Sequence, residues 1–202
     1  MDYKSLLFNI DIPSGSAPVA GAFLVSEPFL REEYFNHSVI ALVEYEPGAG
    51  GSMGVVLNNE SEYSLQELIE GVEVSEPIPV YCGGPLGSDR LFFIHTLGDV
   101  IKGTQPLGNG LWIGGDFDSM LSIVNDGYEL EGSIRFFLGY SGWTEGQLED
   151  ELARNVWAVA PQLEEASEML RGDGDAYWHR AVRALGPSFR GWLYHPRNPM
   201  VN

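Results

Sequence analysis

Cysteine occurs once in 202 residues, at Cys82. That excludes an internal disulfide and any cysteine-rich zinc site, and it agrees with a reducing compartment. Lysine is nearly as scarce, with Lys4 and Lys102 alone, and neither follows a glycine-rich loop. The phosphate-gripping lysine of a P-loop is therefore missing. No apolar run approaches the roughly 18 residues a membrane-spanning helix needs, and the opening "MDYKSLLFNIDIPSG" lacks the basic, apolar, small-residue order of a secretory leader. A cytoplasmic protein is expected. Basic residues number 11 against 29 acidic ones, a formal net charge of −18, which repels phosphate backbones and argues against direct nucleic-acid binding. The four histidines, His37, His95, His179 and His195, form no pair at helical ligand spacing, so neither a metal site nor a cofactor is expected.

What is present is a chain that is 44% hydrophobic, enough for one sizeable core. Residues 1–17 read as an N-terminal arm ending in "PSGSAP", and residues 18–202 as a single domain with a basic, aromatic tail at 187–202. "VAGAFLV", "SVIALVEY" and "MGVVLN" are short β-branched runs, the last two joined by the glycine-rich "EPGAGGS" into a hairpin. A phosphate cradle would need a helix after those glycines, where a strand follows instead. Ser64 and Glu67 form a capping box for a short helix whose Leu65, Leu68, Ile69 and Val72 share a face. "IPVY" and "LFFIHTL" read as strands joined across "CGGPLGSDR", and "GLWIGG" as another. Asp116 caps a helix carrying Phe117, Met120, Leu121 and Val124. "SIRFFLGY" runs into a second capping box, Thr144 with Gln147, where Trp143 is placed to pack on Leu148. "VWAVA" is a strand, and a last helix presents Trp178, Ala181, Val182 and Leu185 before Gly186 and Pro187. Strands and helices alternate only partly, which favours a mixed α+β sheet over a doubly wound parallel one.

Cys82 and His95, oriented by Asp89, are the candidate thiolate and base of a hydrolase or transferase. No nucleophile signature surrounds Cys82, and a lone cysteine at a strand end reads more simply as a small buried hydrophobe, so no catalytic residue is assigned. Arg90 offers an anion fork. Tyr140 and Trp143 in "GYSGW" either frame a ligand or anchor a sharp turn. Arg180, Arg183, Arg190 and Arg197, interleaved with Tyr177, Trp178, Phe189, Trp192 and Tyr194, make a locally basic aromatic segment. It reads either as a single-strand platform or, preferably, as a face docked on the acidic body of the protein or of a neighbour. The candidate surface for a small-molecule or protein partner joins Asn58, Gly83, Gly84, Pro85, Asp89, Arg90, His95, Gly139, Tyr140, Gly142, Trp143 and Gln147.

The stretches "SEPFLREEYFNHSVIALVEY", "GSMGVVLNN", "GGPLGSDRLFFIHT", "FFLGYSGWTEGQLEDELARNVWAVAP" and "YWHRAVRALG", spanning about Gly21 to Gly186, resemble the AlgH/YqgE family of bacterial proteins. The resemblance implies an α+β domain whose strongly bent mixed sheet closes into a partial barrel flanked by short helices, in a bacterial cytoplasm. It brings no catalytic residue set, and some members carry the label of transcriptional regulator. Relatives commonly have an arginine where this chain has His37, and often a leucine at Cys82. The expectation drawn is a regulatory binding protein acting indirectly, through a protein or small ligand.

Overall fold

A computed structural model describes residues 17–195 apart from positions 33, 47 and 49. Nearly all of the arm at 1–17, and the end of the tail with Arg197, lie outside the described residues. The strands are β1 (Phe23–Ser26), β2 (Val39–Glu46), β3 (Gly51–Val56), β4 (Glu60–Ser64), β5 (Pro79–Cys82), β6 (Leu86–His95), β7 (Gln105–Gly108), β8 (Leu111–Ile113), β9 (Ile134–Trp143) and β10 (Trp157–Ala160). The helices are α1 (Leu65–Leu68), α2 (Phe117–Asn125), α3 (Gln147–Ala153), α4 (Ala166–Met169) and α5 (Gly174–Leu185), followed by a 3₁₀ helix at Pro187–Tyr194.

The strands form one sheet in the order β10-β1-β2-β3-β9-β6-β8-β7, with β5 on β9 and β4 on β5. Every pairing is antiparallel except β5 with β9. Helices packed on a largely antiparallel sheet make this an α+β domain. The path is open, because β10 and β7 pair with no further strand among the described residues. A side chain links these ends instead: Asn109 Nδ2 donates to Pro161 O (2.6 Å) and Gly21 O (3.3 Å). Gly21 has φ 85°, and a Cβ there would sit 1.9 Å from Leu107 O, so only glycine allows the approach.

The period-2 alternation of the strands sorts their side chains onto two faces. Phe23, Val25, Val39, Ala41, Val55 and Leu57 face one core, where Trp178, Ala181 and Val182 of α5 cover them together with Phe189 and Trp192 of the 3₁₀ turn. On the other face the core divides. Leu24, Ile40, Leu42 and Val56 pack with Trp143, Leu148 and Trp157, while Val80, Phe93, Ile134 and Phe136 pack with Leu65, Met120 and Val124.

Most expected elements occur, with three differences. The helix after Ser64 keeps its Glu67 contact to the Ser64 amide (2.7 Å) but stops at Leu68, and Ile69 turns extended. Leu65, Leu68, Ile69 and Val72 still pack together. On α2 the inward residues are Met120 and Val124, whereas Phe117 is exposed. The strands β5 and β6 do meet at a corner, yet β9 lies between them, parallel to β5 and antiparallel to β6. The glycines explain the corner: a Cβ on Gly83 would meet Gly139 O at 2.3 Å, and one on Gly84 would meet the Tyr140 carbonyl carbon at 2.2 Å.

Helix α5 is tied to the sheet through Asn58, only 4% exposed. Its Nδ2 donates to His37 O and Gly174 O, both at 2.9 Å, and its Oδ1 accepts the Val39 amide at 2.9 Å. Replacement by leucine, of similar volume, removes all three hydrogen bonds and leaves the buried Val39 amide without its Asn58 acceptor, at about 1–3 kcal/mol for that group. Asn58→Leu is expected to lower unfolding stability by about 2 kcal/mol or more, read as a drop in the urea midpoint at unchanged slope.

Candidate functional site

Strand β9 places Arg135 in an otherwise apolar run, on the face that looks toward α5. The residue is 4% exposed. Its Nη1 donates to Leu57 O (2.7 Å), its Nη2 donates to Gly172 O (2.9 Å), and its Cζ lies 4.1 Å from the centre of the Tyr81 ring. Burial pushes its pKa down, opposed by Tyr81, Tyr177 and Asp173. Arginine starts far enough above neutrality to remain a cation. The two carbonyls, the ring face and the nearby carboxylate compensate the desolvated charge.

Arg135 lies at a cavity of about 340 Å³. One wall is β5 with the residue before it, Ile78, Pro79 and Tyr81; another is Leu170, Gly172 and Asp173, leading into α5. Glu60 from β4 and Glu131 complete the rim. Contact with the Asp173 carboxyl is the main reason the Glu60 pKa is raised, with burial adding to it. Burial raises the Tyr81 pKa, so its hydroxyl is neutral at physiological pH. A deep cation, an aromatic face and a carboxylate pair converge on one concave site, as ligand pockets do.

The sequence-derived surface does not assemble as one unit. Gly83 and Gly84 are buried against Gly139 and Tyr140, and Pro85 is exposed beside them. Tyr140, Gly142 and Trp143 line an open groove of about 440 Å³ with Leu86 and the β2–β3 hairpin. Asp89 and Arg90 are exposed where β6 loses register between Leu86 and Leu91. Gln147 is exposed and accepts from the Thr144 amide (3.1 Å), although α3 begins only at Gln147 itself. Trp143 is a packing anchor: it contacts the Leu148 cluster and its Nε1 donates to Glu151 Oε2 (2.8 Å). Asn58 and His95 are buried and reach no surface. His95 pairs with Ile134 and Leu86 with Tyr140, which places His95 roughly 20 Å along β9 from the corner.

The thiol and imidazole do not form a dyad. Cys82 pairs with Leu138 and His95 with Ile134, on opposite edges of β9, about 13 Å apart along the strand alone. The His95 Nδ1 accepts the Leu97 amide (3.1 Å), and Nε2 donates toward Gly114 O (3.0 Å) and Thr104 Oγ1 (2.9 Å). Burial lowers its pKa, so it is a neutral, satisfied core histidine. Four of the C-terminal aromatics are likewise committed: Tyr177, Trp178, Phe189 and Trp192 are buried, whereas Tyr194 is exposed, and Arg180 Nε donates to Glu164 Oε2 (2.6 Å). Among the described residues no group of three or more His, Cys, Asp or Glu is placed to hold a metal.

Residues 23–190 match the AlgH-like family, DUF179. The chain belongs to that family. A UPF0301 protein of Parabacteroides distasonis is 39% identical over 186 residues, covering 92% of each chain, and one of Bacteroides thetaiotaomicron is 38% identical over the full length of both. The solution structure of the AlgH protein from Pseudomonas aeruginosa superimposes with a TM-score of 0.65 at 29% identity, covering 85% of this chain and 92% of that one. A protein from Corynebacterium diphtheriae shares the fold, with a TM-score of 0.73 at 23% identity over 89% of this chain and 93% of that one. In this AlgH-like chain the cleft was missed by the sequence reading. Arg135 had a signal, a charge inside an apolar strand; Glu60 and Asp173 had none, because only the fold brings them together.

Because the folded chain holds the Glu60 proton more tightly than the unfolded chain, folding takes up a proton in the window above the ordinary value of 4.5. Stability therefore falls as pH rises through that window. Glu60→Gln keeps a hydrogen-bond donor for Asp173 and removes the charge. It is expected to melt above the native chain at about pH 8, with the difference shrinking on acidification to about pH 5, read by thermal scans across the series.

Proposed function

We propose that this chain is a cytoplasmic regulatory binding protein that acts on its target indirectly, and that the Arg135 cleft is its small-ligand site. The observation that carries this reading is the buried guanidinium beneath Tyr81, at a cavity whose rim carries the Glu60 and Asp173 carboxyls. A binding role fits better than catalysis by Cys82 and His95, since neither residue can reach the other. It fits better than direct nucleic-acid contact as well, because four of the five aromatics a single strand would stack on, Tyr177, Trp178, Phe189 and Trp192, are in the core and Arg180 is paired with Glu164.

The exposed remainder of the sequence-derived surface, Pro85, Asp89, Arg90 and Gln147, is the partner-facing part of this reading. Strand β9 joins the two regions, with Arg135 near its start and Tyr140, Gly142 and Trp143 at its end. No helix among the described residues is long and apolar enough to cross a membrane, in keeping with a site that samples dissolved ligands.

The test passes small-molecule extract of a native lysate over immobilised protein and identifies retained compounds by mass spectrometry after denaturation. Leu130→Trp fills the cleft from its lip, where the partly buried Leu130 edges the Val80–Phe136 cluster. A compound retained by the native chain and lost by this variant is the expected result. Equal retention by both, or none by either, overturns the cleft as the ligand site.

A further inference from the structure

The Arg135 cleft does not end at its own rim. A second groove of about 260 Å³ shares Ile78, Pro79 and Leu130 with it, so the two adjoin on the β5 side of the molecule. The extension is apolar at its floor, where Val74, Val124 and the half-exposed Tyr128 line it. Together they make an elongated channel with a polar end and a greasy end.

Charge along the channel is one-sided. Glu60, Asp173 and Glu131 stand at the polar end, and Glu76 and Glu129 flank the extension. The cation that lines it, Arg135, is buried and already donates to Leu57 O and Gly172 O. Arg171, near the rim, faces Glu131 (3.8 Å) and Glu168 (3.6 Å). A carboxylate or phosphate entering here would meet carboxylates first, and the guanidinium below them is occupied.

We infer that the ligand is an organic cation, a protonated amine bearing an apolar chain, with its ammonium between Glu60 and Asp173 and its chain along Ile78, Leu130 and Tyr128. This rests on the reading of the cleft as the small-ligand site and names the chemistry that site recognises. Both carboxyls line the same cavity, and an ammonium between them gives each an N–H to accept and offsets the repulsion between two like charges.

The test is isothermal titration of the full chain at mildly acidic pH with n-butylamine, n-hexylamine and n-octylamine, with hexanol and hexanoate as controls. Expected are binding of hexylamine at least about tenfold tighter than hexanol, no measurable hexanoate binding, and a gain of up to about fourfold per added methylene. Glu60→Gln should weaken the amines several-fold, and Tyr128→Ser should flatten the dependence on chain length, while Leu130→Trp abolishes binding. Hexanoate binding as well as hexylamine, or hexylamine binding equally to Leu130→Trp, overturns the amine assignment. If the lysate compound is retained by the cleft while no amine binds, the amine class fails and the cleft stands; if Leu130→Trp retains that compound too, the cleft itself fails.

Discussion

The guanidinium of Arg135 is the contact on which both the fold and the cleft depend. It joins three parts of the chain that nothing local in the sequence would join: β9, the end of β3 through Leu57 O, and the turn into α5 through Gly172 O. Two neutral carbonyls and a ring face are a modest return for desolvating a cation, and without them the cost would be several kcal/mol, on the order of a large share of total stability. The turn into α5 cannot leave without stranding that charge. A residue held this way floors a preformed cavity, because the walls around it are set before any ligand arrives.

Asn58 does the same work with neutral chemistry one residue further along the chain. Its amide reaches β2 through Val39 and His37, and α5 through Gly174. The Gly174 amide donates back to Asn58 O at 2.7 Å. Leu57 and Asn58 thus present successive groups to the same turn, one taken by a charge and one by an amide. Trp178 can then cover the sheet, with its Nε1 donating to Ser26 O at 3.0 Å. The amphipathic face of α5 supplies the apolar area, and these polar ties set where along the sheet it docks.

Elements were legible where their signal is local. The strands followed from β-branched runs, the β2–β3 hairpin from its glycines, and α5 from the spacing of Trp178, Ala181 and Val182. The Trp143–Leu148 contact came from the capping pattern. Strand order was not legible, since "CGGPLGSDR" joins β5 to β6 in sequence while β9 separates them in space. The same gap hid the cleft. Glu60, Tyr81, Arg135 and Asp173 come from four distant segments, and each alone reads as an ordinary surface or core residue. Cys82 and His95 drew attention because of their residue types, and residue type carries no information about which edge of β9 a strand occupies.

Position 37 shows what kind of side chain this arrangement holds. The resemblance places an arginine there in many relatives, and in this chain the residue is a buried histidine. Its ring lies 3.8 Å from that of Trp178 at an interplanar angle of 7°, and its Nδ1 is hydrogen-bonded to Asp175. A guanidinium is also planar, also stacks on an indole and also pairs with a carboxylate, so either side chain can satisfy the same two partners. The slot therefore selects a flat, carboxylate-binding group facing α5. Its plane is covered by Trp178, which turns the group inward as a structural tie and away from any external anion.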